Sequence, residues 1–293
     1  MIKFDSDNPR GIIWIASYPR SGNTWMRAFI NSLFKVMRDP ASADFDINKF
    51  DEAAESEGAP ALYPRFLGKP VFRATPAEIA AARPWVQAAL VESARRLIYL
   101  KTHNARAMDH GAPLINTDVT AGSIYIVRNP LDVAISYAHL SNAPIDFTID
   151  LMARSGWGIE TTAQKIRTVT GSWSQNVGTW TDRANPTTLV VRYEDMLDKP
   201  ERTFKRIARH LRTDPTKDQL RQAIELSSFD RLRAREAEAG FFEKPDTSVD
   251  MFFREGRAGQ WQERLSAEQV ARIVKAHKPA MRRFGYLPAK LAS

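Results

Sequence analysis

Three stretches carry side chains suited to holding an anion, and one of them also offers a base. In the first, Ser17-Tyr18-Pro19-Arg20-Ser21-Gly22-Asn23-Thr24 sets a guanidinium and hydroxyls among small, turn-forming residues. The apolar run Ile12-Ile13-Trp14-Ile15 before it suits a buried strand, and Trp25, Phe29 and Leu33 after it recur at helical spacing. A small-residue loop between a strand and a helix start is the geometry of an anion cradle, because the first N–H groups of a helix lack intrahelical partners and its dipole favours negative charge there. An ordinary strand–turn–helix connection has the same composition, so the loop alone leaves both readings open. It is not a Walker A loop: it has one glycine, Gly22, and its basic residue precedes that glycine.

The second stretch, Arg96-Leu-Ile-Tyr-Leu-Lys101, reads as a strand that ends in Thr102-His103-Asn104. Polar residues at the C-terminal end of a parallel strand face the crevice where open α/β sheets bind ligands. His103 is placed where a base is useful, with Lys101 two residues away on the same face. A structural histidine is the plainer alternative. In the third stretch, Ser123-Ile-Tyr-Ile-Val127 is a strand followed by Arg128-Asn129-Pro130-Leu131-Asp132, with Asn129 as cap and Pro130 in the first helical turn. Arg128 and Ser136 could converge on a second phosphate, or be a salt-bridged arginine and a buried helical serine.

The surrounding elements follow from punctuation and periodicity. Residues 38–73 are irregular, with Pro40, Gly58, Pro60, Pro64, Gly68 and Pro70 and the acids Asp44, Asp46, Asp51, Glu52, Glu55 and Glu57. Connections of that length are commonly substrate-facing. Thr75-Pro76-Ala77-Glu78 is a capping box that starts a helix. A helical stretch is expected over 159–182, with Trp173, Val177 and Trp180 as core. Thr188–Arg192 is a fourth strand, leading into Tyr193-Glu194-Asp195-Met196. Helices are expected from Pro200, around Leu220 to about Ser227, and from Ser266 towards Phe284. Residues 240–253 are aromatic and irregular, and Arg254-Glu255-Gly256-Arg257-Ala258-Gly259-Gln260-Trp261 is a basic glycine loop. Alternating strands and helices, without repeat or linker, predict one α/β domain: a central parallel sheet flanked by helices.

Composition narrows the chemistry. The 293 residues are 43% hydrophobic and 26% charged, enough for a sizeable core. With no cysteine, disulfides, thiolate zinc sites and a cysteine nucleophile are excluded. No export segment or membrane span is read from the sequence, so the expected location is the cytoplasm. The net charge of +8 favours an anionic partner. Its cations are scattered among acids, which points to a charged cofactor rather than nucleic acid.

Taken together, the pieces resemble the PAPS-dependent sulfotransferases of the cytosolic type, PAPS being 3′-phosphoadenosine 5′-phosphosulfate. That family's first loop, YPKSGTTW, is similar to YPRSGNTW at Tyr18–Trp25. Its KTH strand end matches Lys101-Thr102-His103, and its VxRNPxDVxxSYxH matches Ile126 to His139. YEDM is Tyr193–Met196, RKGxxGDW resembles REGRAGQW from Arg254, and GSW followed by a second tryptophan resembles Gly171 to Trp180. The matches stand in the family's order from residue 11 to about 265.

The resemblance implies a P-loop-like phosphosulfate loop of Arg20, Ser21, Gly22, Asn23, Thr24 and Trp25. Arg128 and Ser136, joined by Arg254, Glu255 and Gly256, would hold the 3′-phosphate, and Tyr193, Ser227 and Phe229 the adenine. His103 would take the acceptor's proton, with Lys101 and Arg20 stabilising the transferring sulfuryl group in an in-line displacement that releases adenosine 3′,5′-bisphosphate and needs no metal. Arg20 stands where the family has lysine, Glu255 for a second lysine and Gln260 for an aspartate. The dimer motif KxxxTVxxxE is missing after Trp261, which leaves the oligomeric state open. A nucleotide phosphotransferase and a non-catalytic PAPS- or bisphosphate-binding module remain as alternatives. The acceptor, a small molecule, lipid or glycan, is not encoded in these motifs. Phe66, Phe72, Trp157, Phe241, Phe242 and Phe252 are candidates for an apolar acceptor pocket, or for core.

Overall fold

A computed structural model describes residues 1–3, 9–42, 44–50, 55–94, 96–244 and 251–289. Asp51 and Glu52 of the acidic stretch lie outside the described residues. The five-stranded sheet consists of β1 (Gly11–Ser17), β2 (Glu55–Ser56), β3 (Leu97–Thr102), β4 (Thr120–Val127) and β5 (Thr188–Arg192), in the order β2-β3-β1-β4-β5. All its pairings are parallel, as expected for strands separated by helices.

The sheet's central strand explains the composition of the first motif. Every residue of β1 is buried. With side chains alternating between faces, Ile13 and Ile15 join one core, with Phe29 and Ile30 of α1 (Asn23–Arg38) and Phe204 and Ile207 of α7 (Pro200–His210). Ile12, Trp14 and Ala16 join the other, with Leu131 of α3 (Pro130–Ser141), Trp173 of α5 (Trp173–Thr181) and Ile273 of α10 (Ala267–Phe284). A strand covered on both sides must be apolar throughout, which is why Ile12–Ile15 shows no alternation.

The expected helix over 159–182 is shorter than the sequence suggested. Only Trp173–Thr181 is helical, and Gly158–Ile159 pairs antiparallel with Thr168–Val169 before it. The helix starts where its capping box starts: Gln175 N donates to Ser172 Oγ at 3.1 Å, and Ser172 N to Gln175 Oε1 at 3.1 Å. The helix α2 (Pro76–Ala94) begins at its predicted box, with Thr75 N donating to Glu78 Oε2 at 2.8 Å. Further helices are α4 (Ile145–Ala153), α6 (Tyr193–Asp198), α8 (Lys217–Leu226) and α9 (Phe229–Ala239). Of these, only α8 was expected as a separate element. Within 38–73 the described residues form short turns and β2.

Register places the chemistry. Ala16 pairs with both Thr102 and Tyr125, and Val127 pairs with Arg192. The C-terminal ends of β3, β1, β4 and β5 therefore lie in a row, and the loops at 18–22, 103–104, 128–129 and 193 leave the sheet side by side.

Candidate active site

The first loop is shaped by two left-handed residues, Arg20 at φ 64° and Gly22 at φ 99°. A Cβ at Gly22 would lie 2.8 Å from the Tyr193 ring, so both the backbone angle and the space demand glycine. Asn23 Nδ2 donates to the Ile15 carbonyl at 2.8 Å and ties the helix start back to β1. Ser21 Oγ, Trp25 Nε1 and Arg128 Nε are buried and have no hydrogen-bond partner among the described residues. Buried polar atoms are normally satisfied, so this cluster marks the loop as a place for a polar ligand.

Arg20 and Arg128 cross the mouth of the loop. Arg20 Nε donates to Ser136 Oγ at 3.0 Å and its NH2 group to the Phe252 carbonyl at 3.1 Å, with the guanidinium 4.4 Å from the Phe252 ring centre. Burial and the neighbouring Arg128 lower its pKa to about 10. Arg128 donates to the carbonyls of Arg20 (3.0 Å) and Arg257 (3.2 Å) and lies 4.3 Å from the Tyr193 ring centre. Tyr193 packs edge-on to Trp25. Arg20, Arg128, Ser136, Tyr193 and Trp25 thus form one cluster.

A second cluster forms at the end of β3. Ser17's carbonyl can only accept, so His103 Nδ1, 2.8 Å from it, carries the ring proton and leaves the Nε2 lone pair available. Burial and the Lys101 cation hold the imidazole pKa down to about 3, so the ring is neutral. Lys101 Nζ donates to Glu243 Oε2 at 2.9 Å, and burial lowers its pKa to about 8. Glu243 also accepts from Arg27 at 2.7 Å and from Thr24 Oγ1 at 3.4 Å. Burial alone would raise the Glu243 carboxyl pKa, but Arg27 and Lys101 bring it to about 2.

The backbone just past His103 is held by side chains. Asn104 Nδ2 donates to Glu57 Oε1 at 3.0 Å, and Asn104 Oδ1 accepts from Val169 N at 2.8 Å. Glu57 also accepts from Arg83 (2.6 Å) and Tyr63 OH (2.9 Å). Asn176 Nδ2 donates to the His103 carbonyl at 3.1 Å, and Trp180 Nε1 to that of Asn104 at 3.0 Å. Glu57, Asn104 and Asn176 were not anticipated as supports, and neither was Glu243. Only the acidic run around Glu57 hinted at them.

The late loop reaches the first cluster through backbone more than through charge. Asp132 accepts from Gly259 N at 2.7 Å and from Trp261 N at 3.1 Å, clamping the loop to the start of α3. Gly256, at φ 62°, lies against Phe229, whose ring would meet a Cβ there at 2.3 Å. Arg254 pairs with Glu255 and donates to Gln260 Oε1 at 2.8 Å, while Arg257 pairs with Glu255 at 2.8 Å and Glu263 at 3.0 Å. Gln260, at the position where the resembled pattern has an aspartate, therefore holds Arg254. Ser227 Oγ donates to the Ala223 carbonyl at 2.8 Å.

The six aromatic candidates for an acceptor pocket divide. Phe241 and Phe252 pack with Phe253, Phe45 and Phe50 in one cluster, and Phe242 touches Phe241 from an exposed position. Phe66 and Phe72 are exposed elsewhere, and Trp157 stacks under Arg154.

The model of the sulfotransferase domain matches residues 10–285. The chain belongs to the sulfotransferase family. It is 23% identical over 277 residues to flavonol 3-sulfotransferase of Flaveria bidentis, covering 90% of this chain and 79% of that enzyme. It is 26% identical to sulfotransferase 1B1 of Canis lupus familiaris, covering 92% and 83%. Mouse sulfotransferase SULT7A1 complexed with PAP has the same fold, with TM-score 0.61 and 20% identity over 95% of this chain and 86% of that one. Sulfuryl transfer is the family's reaction, and the two clusters at the strand ends belong to a sulfotransferase. No helix among the described residues is long and apolar enough to cross a membrane.

Proposed function

We propose that this sulfotransferase moves a sulfuryl group from PAPS to a hydroxyl or amine of a small-molecule acceptor, with His103 as the base. The observation that carries the reading is the convergence, at adjoining strand ends, of a guanidinium–hydroxyl cluster with a neutral histidine beside a lysine. The buried, unpartnered Ser21 Oγ, Trp25 Nε1 and Arg128 Nε suit an anionic nucleotide. When bound, PAPS supplies the activated sulfuryl group and leaves as adenosine 3′,5′-bisphosphate.

The chain's own residues divide the work. Arg20, Ser21, Gly22, Asn23, Thr24 and Trp25 hold the phosphosulfate through loop amides, hydroxyls and the guanidinium. Arg128 and Ser136 hold the 3′-phosphate, with Arg254, Glu255 and Gly256 of the late loop alongside. Tyr193, Phe229 and Ser227 border the adenine. His103 accepts the acceptor's proton at Nε2, a role typically contributing about 10²–10⁴-fold. Fixed cations at Lys101 and Arg20 stabilise charge that grows on the transferring group's oxygens.

The acceptor side is read from Phe252, partly buried under the Arg20 guanidinium, and the exposed Phe242, aromatic faces that favour a phenol or apolar alcohol. The whole chain acts as one domain, and a cytoplasmic location fits its cytosolic-type motifs. Transfer of labelled sulfate from PAPS to a panel of phenols, alcohols and amines tests the proposal. Product formation by wild type and its loss in His103→Ala are expected. Tight nucleotide binding with no transfer to any acceptor would instead leave a nucleotide-binding module.

A further inference from the structure

Glu243 brings a carboxylate to the very residues assigned above to the phosphosulfate. We propose that it is a built-in competitor for the sulfuryl subsite, and that the donor's sulfuryl group must take over the cations Glu243 holds. The inference rests on the donor reading of the previous subsection.

Glu243 gathers three donors from two elements, β3 and α1. Oε2 accepts from Lys101 Nζ at 2.9 Å, at the end of β3, and from Thr24 Oγ1 at 3.4 Å, in the first turn of α1. Oε1 accepts from Arg27 at 2.7 Å, one turn further along α1. The Arg27 side chain is 0% exposed, and its Nε and remaining terminal nitrogen have no partner among the described residues. A carboxylate and a sulfuryl group ask for the same thing: charge-assisted donors around anionic oxygens. The lysine that Glu243 neutralises lies at the C-terminal end of β3, two residues before His103.

The backbone beneath Glu243 is pinned independently of that contact. Asn48 Oδ1 accepts from Phe242 N at 2.9 Å, and Asn48 Nδ2 donates to the Gly240 carbonyl at 3.1 Å. Phe241 is buried in the aromatic cluster next to it. With that backbone held, the exchange of one anion for the other falls to the Glu243 side chain. A nucleotide that lacks the sulfuryl group still brings a 5′-phosphate towards Thr24 but no anion to Lys101, so it contends less with the carboxylate and Glu243 discriminates between the donor and its bisphosphate product.

Calorimetric titration of PAPS and of adenosine 3′,5′-bisphosphate into wild type, Glu243→Gln and Glu243→Asp tests this, with circular dichroism to verify folding. Glu243→Gln keeps a hydrogen-bonding oxygen for Arg27 but removes the charge. It is expected to tighten PAPS about tenfold while changing bisphosphate affinity less than about twofold. Glu243→Asp, which keeps the charge one methylene further back, is expected to fall between. Equal tightening of both nucleotides, or weaker PAPS binding in Glu243→Gln, overturns the inference. If wild type binds both nucleotides and the variants match it, this inference alone fails. If neither nucleotide binds wild type, the donor reading fails first and takes this one with it.

Discussion

Glu57 and Glu243 both bring a carboxylate to the end of β3, Glu57 to Asn104 and Glu243 to Lys101. Glu57 is set among fixed partners: the side chains of Glu57 and Arg83 are 3% and 1% exposed, and Tyr63 and Asn104 complete its bonds. Burial opposes the Arg83 charge, yet Glu57 and Tyr63 raise its pKa overall. Glu243 is set among Arg27, Thr24 and Lys101, the last two proposed above to meet the donor, at 12% exposure, and the Lys101 it pairs with is 21% exposed. A carboxylate locked among structural donors positions a neighbour. One that also rests on a partly exposed cation, here Lys101, competes with whatever anion that cation is meant to bind.

The contrast can be broken most forcefully at Glu57. Removing one partner of a buried pair leaves the other charge uncompensated, so Glu57→Ala is expected to lose about 3–5 kcal/mol of stability by urea denaturation. Because Asn104 loses its anchor beside His103, turnover measured below the unfolding transition should fall while bisphosphate affinity stays near wild type. Glu243→Gln is expected to differ in two readouts, with a stability loss under about half that size and a tightened PAPS affinity. If the two variants behave alike, the distinction between positioning and competition is wrong.

Protonation sharpens the same comparison. Lys101, lowered to about 8 mainly by burial, loses its charge as pH rises through that value, so donor affinity is expected to fall on the alkaline side. Glu243 supports the charged form, and in Glu243→Gln the alkaline limb should move to lower pH. An unmoved limb would detach Lys101 from donor binding. A separate effect, confined to acid pH, concerns three histidines that burial holds neutral, His103 at about 3 and His210 and His277 at about 4. The unfolded chain binds protons at these sites below about pH 6.5 while the folded chain does not. Stability should therefore be level from pH 8 to 6.5 and decline as pH falls from 6.5 towards 4. A His210→Gln, His277→Gln double variant should flatten that decline in urea midpoints.

Much of this arrangement is legible in the sequence because it is local. Strands β1, β3, β4 and β5 are short apolar runs, and the polar residues that follow each are its strand end. The loop at Tyr18–Trp25, Lys101-Thr102-His103 and Arg128 with Ser136 are thus identified together with the fold. The Ser172 box shows the limit of periodicity: Trp173, Val177 and Trp180 mark a helix but not its start, and the expectation of one over 159–182 ran too far upstream. What sequence reading misses is carried by long-range partners. Glu243 lies 142 positions from Lys101 and Glu57 lies 47 from Asn104, and neither sits in a motif. The aromatic candidates divide for the same reason, since only packing separates Phe241 and Phe252 from the exposed Phe66 and Phe72.

In the proposed division of labour, Arg128 and its neighbours bind the nucleotide while His103 accepts the acceptor's proton. Titration of adenosine 3′,5′-bisphosphate into wild type, Arg128→Ala and His103→Ala, without added metal, tests it most directly. Binding to wild type, a loss of about thirtyfold or more in Arg128→Ala and near wild-type affinity in His103→Ala are expected. Absence of binding to wild type, or equal affinity in all three proteins, would contradict that division.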